Sequence, residues 1–174
     1  MLRPSELHIA SRFRRWLRTC PLEVSFNAAF EQVLDGCAGL RFGQQGTWIT
    51  AEMAAAYTAL HRAGWAHSVD VWNGDELVGG LYGLAIGKAF FGESMFSRTT
   101  NASKVAMRAL CRELVRREFR LLDCQVASPH LLTLGAVELP RAEFRAELEI
   151  ACASPAPCSD WPRGRIRAAE PALD

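Results

Sequence analysis

Hydrophobic and polar positions along the chain repeat with two different periods, which predict a mixture of helices and strands. Helical spacing of apolar residues runs through five segments: 5–18, 27–35, 51–63, 101–117 and 140–150. Alternation with a period of two, or an unbroken apolar run, predicts five strands: 22–26, 66–72, 77–84, 88–96 and 119–125. Asn73-Gly74 separates two of these strands and predicts a hairpin with a type I′ turn.

The order of these elements predicts an α/β fold. Antiparallel strands followed by a helix and a returning strand are typical of a sandwich of the N-acyltransferase (GNAT) type, in which helices flank a central, mostly antiparallel sheet. The chain has 174 residues, the length of one domain, and we assign that domain to 21–150. Residues 1–20 are interpreted as a separate basic helix. Residues 151–174 are rich in Ala, Pro, Arg and Ser and are predicted to form a disordered tail.

Charge and cysteine content exclude some classes of protein. The net charge of +1 gives no overall sign of nucleic-acid binding, but Arg14, Arg15 and Arg18 cluster around Trp16. Such a patch suits phosphate contacts, although most short charge runs are only solvated faces.

The six cysteines form no C-x-x-C pair and no zinc-like spacing with histidine. No apolar run reaches the roughly 18 residues of a membrane helix. Reduced thiols in the cytoplasm are the simplest interpretation.

Polar residues inside apolar strands are the first candidates for chemistry, because burying them is costly unless they are paired or used. Asp123 and Gln125 lie at i and i+2 of one predicted strand, so both side chains are expected to point to the same face. The carboxylate could orient the amide for catalysis, or the two could form a buried pair that only fixes the strand. Glu93 could hold a positively charged substrate group, or it could pair with Arg98 or Lys104.

Large apolar side chains in the middle of the chain could line a pocket. They are Trp48, Tyr57, Phe90, Phe91, Met107 and Leu122. A domain of this size must also fill its interior, and residues at such spacings are more often plain core. Both interpretations stay open at this level.

Eight segments, in order along the chain, resemble one known family. They are 7–9, 46–50, 66–72, 76–83, 91–98, 101–104, 122–125 and 134–136. The most specific of them contain Gly92-Glu93-Ser94-Met95-Phe96-Ser97-Arg98 and Leu122-Asp123-Cys124-Gln125. Together the segments resemble the catalytic domain of the leucyl/phenylalanyl-tRNA–protein transferases, and the chain is identified as a member of that family.

The resemblance implies an aminoacyltransferase. The family transfers Leu, Phe or Met from aminoacyl-tRNA to the α-amine of a protein that begins with Arg or Lys, which marks that protein for degradation in the N-degron pathway. The ester is already activated, so the enzyme has mainly to position the amine and stabilise charge. No metal or coenzyme is implied, and the chain lacks the Gly-rich turn with which coenzyme A acetyltransferases bind pyrophosphate. A cytoplasmic monomer with no membrane partner is expected.

The same resemblance gives each candidate residue a role. Asp123, Gln125 and Glu93 would be catalytic, with Asp123 orienting Gln125 and with both carboxylates attracting the basic N-terminal residue of the acceptor. Substrate-binding positions would be Trp48, Tyr57, Phe90, Ser94, Met107 and Leu122, where the apolar side chains surround the aminoacyl group and the terminal adenosine. tRNA-binding positions would be Arg14, Arg15, Arg18 and Lys104.

One feature of the family is absent from the chain. Family members usually begin with a small additional domain whose Trp-Trp-Ser-Pro-Asp-Pro-Arg motif contributes to the substrate site, and that motif does not occur here. Residues 1–20 would then be a basic helix left from, or linking to, the missing N-terminal domain. A late start codon, a decayed copy or a short enzyme with an altered acceptor would each account for the difference.

Three functional hypotheses follow from the sequence. The first is transfer of an amino acid from tRNA to protein N-termini. The second is a truncated, non-catalytic module that binds basic N-termini or tRNA. The third keeps the tRNA-dependent chemistry but uses a small amine as the acceptor.

Overall fold

The computed structural model describes residues 1–39 and 49–169, which form a mixed α/β structure. The helices in these ranges are α1 (Ser11–Leu17), α2 (Phe30–Gly39), α3 (Ala51–Arg62), α4 (Ala102–Arg116), α5 (Pro129–Thr133) and α6 (Arg141–Ala151). The strands are β1 (Glu23–Phe26), β2 (Ala66–Asn73), β3 (Glu76–Ile86), β4 (Ala89–Ser97), β5 (Leu121–Asp123) and β6 (Ile166–Arg167). A short 3₁₀ helix, Pro4–Glu6, precedes α1.

The strands form one sheet in the order β5-β4-β3-β2-β1-β6. Neighbouring strands are antiparallel, except that β5 pairs with β4 in parallel. The parallel strand returns through α4, which makes the crossover that a parallel pair needs. The predicted α/β class and the mostly antiparallel central sheet are confirmed.

Helices cover both faces of the sheet. Phe13 and Leu17 of α1 pack with the apolar side of α4 on one face, while α2 and α3 pack on the other. The β3 strand contributes to both clusters in alternation, with Leu81 directed to the α4 side and Tyr82 to the α2 side. The site described below lies where β4 and β5 separate, next to the α4 side of this core.

The predicted hairpin forms, with its turn shifted by one residue. Asn73 pairs with Glu76, so the connecting residues are Gly74 and Asp75 rather than Asn73 and Gly74. Gly74 has φ of +59°, a conformation that glycine adopts without steric strain. The shift arises because Asn73 continues the β2 ladder before the chain reverses.

α2 begins at Phe30, three residues after the start of the predicted helical segment 27–35. Asn27 has φ of +60° and its side-chain oxygen accepts the Ser68 N–H at 3.0 Å. The buried carboxylate of Asp70 instead accepts the Ala28 N–H at 3.0 Å and the Ser25 hydroxyl at 2.7 Å. Burial raises the pKa of Asp70, although these hydrogen bonds oppose that shift. A β2 side chain therefore fixes the approach to α2.

The first residues also differ from the expected single helix over 5–18. Leu2 is fully buried and forms a β-bridge with Leu122. The His8 N–H donates to the Leu134 carbonyl at 2.9 Å, which keeps the chain extended between the 3₁₀ helix and α1. Residues 1–20 thus pack on the sheet and contribute Phe13 and Leu17 to the core.

The segment after α6 was expected to be disordered, and the structure differs. Trp161 is 7% exposed and stacks on His67 with ring centroids 4.5 Å apart. The Arg117 guanidinium lies 4.9 Å from the Trp161 ring centroid and donates to the Ser159 carbonyl at 2.8 Å. These aromatic and cationic contacts with residues distant in the sequence hold the segment in place, although its composition favours neither a helix nor a strand.

Candidate functional site

The end of β5 forms a sharp turn between Asp123 and Gln125. Asp123 is the last residue of the strand, and its Oδ1 atom accepts the backbone N–H of Gln125 at 2.8 Å. Gln125 has φ of +58°, which is uncommon for a residue other than Gly, Asn or Asp. The prediction that both residues share one strand face is therefore wrong. The carboxylate bends the following backbone, and the exposed Gln125 side chain leaves the sheet.

Glu93 occupies a β-bulge in β4. Tyr82 of β3 pairs with Ser94, and the next pair joins Gly83 to Gly92, so Glu93 has no partner in the register. Bulges are frequent beside functional sites because the extra residue can direct a side chain out of the regular alternation. Glu93 is half-buried at this point.

The bulge also reverses the alternation of β4. Phe90 packs in the cluster that contains α4, whereas Phe96 packs in the cluster that contains α2. Two residues six positions apart would share one face of a regular strand. The bulge thus lets one strand fill both sides of the core around Glu93.

A cavity of about 290 Å³ lies beside Asp123 and Glu93. β4 and β5 pair only over 89–91 and 121–123, and the cavity lies where the two strands diverge. Its wall is mostly apolar and includes Leu81, Gly92, Met107, Leu110, Leu122 and Leu131. A second cavity, of about 300 Å³, lies on the other side of the Asp123–Gln125 turn. An apolar pocket with a few polar groups at its edge is the usual form of a small-ligand site.

Glu93 interacts with Tyr57 of α3. Burial raises the pKa of Tyr57, and a hydrogen bond to Glu93 and the charge of that carboxylate raise it further. The alternative in which Glu93 pairs with Arg98 or Lys104 is wrong. Arg98 donates to the Leu77 carbonyl at 3.1 Å and lies over the Phe96 ring, while Lys104 lies over Phe13. Glu93 forms no ion pair within the described ranges.

Comparison with protein families agrees with this geometry. A family model described as leucyl/phenylalanyl-tRNA protein transferase matches residues 1–149, which include every element from α1 to α5. The chain belongs to this family. The match contains the bulged β4 strand and the Asp123–Gln125 turn, the two places where polar residues interrupt the apolar strands.

Curated relatives support the same family. A leucyl/phenylalanyl-tRNA–protein transferase of Xanthomonas axonopodis pv. citri (strain 306) is 52% identical over 162 residues, 92% of this chain and 65% of the relative. The transferase of Hahella chejuensis (strain KCTC 2396) is 53% identical over 150 residues, 86% of this chain and 64% of the relative. The transferase of Azoarcus sp. (strain BH72) is 48% identical over 161 residues, 92% of this chain and 68% of the relative. The chain spans just under two thirds of the length of the first two.

The predicted substrate-binding residues of this family member are only partly brought together. Ser94, Met107 and Leu122 line the cavity. Tyr57 is not part of the cavity wall, but it interacts with Glu93, which is. Phe90 is fully buried behind the cavity and packs against Trp161, with ring centroids 6.4 Å apart. Trp48 lies outside the described residues.

Sequence reasoning missed several side chains of the cavity. Leu110 lies one helical turn after Met107, so the helical period could have identified it. Tyr82 pairs with Ser94 only because of the β4 bulge, so the sequence carried no signal that would have identified it. Cys124 also lines the cavity, but burial raises the pKa of its thiol, which disfavours the reactive thiolate.

The predicted tRNA-binding arginines of α1 are all exposed. Arg14, Arg15 and Arg18 have no ion-pair partner in the part of the chain that the structure describes. The opposite side of the helix is anchored in the core by Phe13, and the Lys104 ammonium lies 5.8 Å from the centroid of the Phe13 ring. The four predicted cations are thus held on neighbouring elements.

Within residues 1–39 and 49–169, no group of three or more His, Cys, Asp or Glu side chains is arranged to hold a metal ion. None of the helices found there is long and apolar enough to cross a membrane.

Proposed function

We propose that this chain transfers an amino acid from aminoacyl-tRNA to the α-amine of a protein that begins with Arg or Lys. The observation that carries the proposal is the Asp123–Gln125 turn, which holds a carboxylate and an exposed amide at the edge of an apolar cavity. Membership of the transferase family supports this reaction class. In this proposal the catalytic domain has a GNAT-like fold, which the crossover from β4 through α4 to the parallel strand β5 supports.

The apolar cavity is proposed to receive the side chain of the donor amino acid. Three apolar residues of the cavity wall are almost completely buried: Leu81, Met107 and Leu122. Their side chains carry no group that could form a hydrogen bond with a polar ligand. Such a wall favours Leu, Phe or Met, because a polar side chain would lose its hydrogen bonds to water on entry. The terminal adenosine of the tRNA would lie at the rim of the cavity, beside Ser94.

The two carboxylates are proposed to select the acceptor. Glu93 lacks a cationic partner in the described ranges, and Asp123 uses only one oxygen to hold the Gln125 backbone. A positively charged N-terminal residue would interact with both groups at the edge of a cavity with a low local dielectric. This accounts for a preference for Arg or Lys over neutral residues.

The reaction is aminolysis of an ester. The acceptor nitrogen forms the new C–N bond, the C–O bond to the terminal ribose breaks, and the ribose oxygen takes up the proton that the amine releases. The second oxygen of Asp123 can accept an N–H of the amine, while the Gln125 amide can donate to the carbonyl oxygen on which charge develops. The ester supplies the driving force, so this scheme uses no metal or coenzyme.

The basic face of α1 is proposed to hold the tRNA. Exposed arginines without ion-pair partners are available for backbone phosphates, and phosphate contacts dominate the affinity of nucleic-acid-binding proteins. Lys104, at the start of α4, would extend this face. The reaction would take place in the cytoplasm on a monomeric enzyme, and its product would be recognised as a degradation signal.

The decisive experiment measures transfer of radiolabelled Leu from Leu-tRNA to an Arg-initiated model protein. We expect transfer by residues 1–174, and a loss of about 10²–10³ in rate for Asp123→Ala and for Gln125→Ala. Glu149→Ala is the matched control, since Glu149 is exposed on α6 and pairs with the exposed Arg145. Full activity of both site variants would contradict the proposed roles.

Other outcomes select among the remaining hypotheses. Binding of Arg-initiated peptides or charged tRNA without any product would favour the non-catalytic module. Transfer to a free amine but not to a protein would favour the small-amine acceptor. Either result would overturn the proposed reaction.

A further inference from the structure

Tyr82 buries a hydroxyl group that has no hydrogen-bond partner. The residue is 0% exposed, and its oxygen is unpaired within the described ranges. Buried Tyr hydroxyls usually find a partner, and an unsatisfied one costs about 1–3 kcal/mol. Phe would avoid this cost and keep the edge-on packing against Tyr57 and Phe30, whose ring centroids lie 5.1 and 6.1 Å away. Packing therefore does not explain the hydroxyl.

The position of Tyr82 connects it to the candidate site. Tyr82 pairs with Ser94 and so lies opposite the residue that follows the bulged Glu93. Both Tyr82 and Glu93 line the cavity. Tyr57 packs edge-on against the Tyr82 ring, and its hydroxyl interacts with the Glu93 carboxylate. Two phenol oxygens and one carboxylate thus belong to a single cluster beside the cavity.

The chemistry of this cluster fits a cation with several N–H groups. Guanidinium and ammonium groups donate hydrogen bonds and accept none, whereas the phenol oxygens and the carboxylate can all accept. Aromatic rings next to the carboxylate add a favourable interaction with a positive charge. Within the described ranges no Lys or Arg pairs with Glu93, so its carboxylate is available to a cationic ligand.

We propose that the Tyr82 hydroxyl accepts a hydrogen bond from the basic side chain of the acceptor's first residue, with Glu93 as the charge partner. Tyr82 is then a specificity-determining residue. The inference rests on the proposed function and assigns its acceptor subsite. The half-buried Tyr57 ring packs against Tyr82, so this proposal requires the ring to shift before an acceptor can reach the shielded hydroxyl.

The test is Tyr82→Phe in the full chain, because this change removes only the unpaired oxygen. We expect the KM for an Arg-initiated acceptor to rise roughly ten-fold, while the KM for Leu-tRNA stays within about two-fold. The melting temperature should stay the same or rise, since the removed group has no partner in the free protein. Isothermal titration with an Arg-initiated peptide should show the same ten-fold loss of affinity without any need for turnover.

Cys20→Ala is the control, because Cys20 is a buried core residue like Tyr82 but is not part of the cavity wall. It should leave the acceptor KM unchanged. The inference is overturned if Tyr82→Phe leaves the acceptor KM and the peptide affinity unchanged, if it raises the KM for Leu-tRNA equally, or if it lowers the melting temperature markedly. If the wild-type chain binds the peptide but transfers nothing, the proposed function fails while the peptide affinities still decide this inference.

Discussion

The carboxylate of Asp123 accepts the backbone N–H of Gln125 at 2.8 Å and holds Gln125 at φ of +58°. Asp123 therefore positions the main chain, and the Gln125 amide projects outward from a conformation that glycine would adopt more easily. Unfavourable backbone conformations persist where the surrounding structure enforces them, and they are frequent at active sites.

We predict that Gln125→Gly is more stable than Gln125→Ala by about 1 kcal/mol, because only Ala retains the steric penalty of the left-handed conformation. Both variants lack the amide and should lose aminoacyl transfer to a similar degree. Urea denaturation and the radiolabelled Leu assay measure the two effects separately. Recovery of activity in the Gly variant would mean that the turn, and not the amide, matters for the reaction.

Gly92→Ala should alter the choice of donor amino acid. A Cβ at this position would lie 3.4 Å from the Asp123 carbonyl oxygen and 3.6 Å from Leu122 Cδ1, which are ordinary contacts that the fold tolerates. The added methyl group narrows the cavity, so transfer of Phe should fall about ten-fold more than transfer of Leu. The ratio of kcat/KM for the two charged tRNAs provides the measurement.

Gly39→Ala is the matched control for this change, because a Cβ there would meet no atom of another described element within 4 Å. Its Phe-to-Leu ratio should equal that of the wild type. Equal ratios in the wild type and Gly92→Ala would show that the donor side chain binds elsewhere.

Much of the fold could be predicted because its signals are local. The β2–β3 hairpin follows from two apolar runs around a turn sequence, and α3 begins at Ala51, where the helical spacing of apolar residues predicts its start. The bulge at Glu93 could not be predicted in the same way. A bulge depends on the register of the partner strand, and a single strand sequence does not encode that register.

The geometry of the site was harder to predict than its composition. Period-two alternation placed Asp123 and Gln125 on one face, but a bond from a side chain to the backbone ended the strand between them. Phe90 looked like a pocket residue, whereas the distant Trp161 covers it and makes it core. Contacts between remote segments decided both cases.

Replacing Arg14, Arg15 and Arg18 with Ala should weaken the binding of Leu-tRNA and make the remaining affinity less sensitive to salt. Each lost phosphate contact should reduce the slope of log affinity against log salt by roughly one. Filter binding at several salt concentrations measures this slope. Arg145→Ala, on the exposed side of α6, should leave it unchanged. An unaltered slope in the triple variant would place the tRNA on another surface.

His67 should make the folded state sensitive to acid. It is 3% exposed, contacts the Gly64 carbonyl at 3.1 Å, and burial lowers its pKa from 6.5 to about 4. The folded protein therefore favours the neutral ring. The stability that His67 contributes is complete above pH 6.5 and is lost as the pH falls from 6.5 toward 4. Between pH 7 and pH 5 this loss should be about 2 kcal/mol.

Urea unfolding of the wild type and of His67→Phe at the two pH values isolates this contribution. The variant keeps an aromatic ring against Trp161, so it should lose less stability on acidification, even if it is weaker at pH 7. Equal losses in both proteins would show that other groups cause the acid sensitivity.

The match to the family model ends at residue 149, yet the sheet ends beyond it, at β6. β6 pairs with β1, and the Ala168 N–H donates to the Leu22 carbonyl at 2.9 Å. A protein shortened after α6 would keep β1 paired with β2 but leave the groups of β1 that face β6 without partners, and it would uncover Phe26, which Trp161 shields. An open strand next to exposed aromatic surface recruits other chains. The last described residues therefore protect the molecule from self-association, a role separate from any part in the reaction.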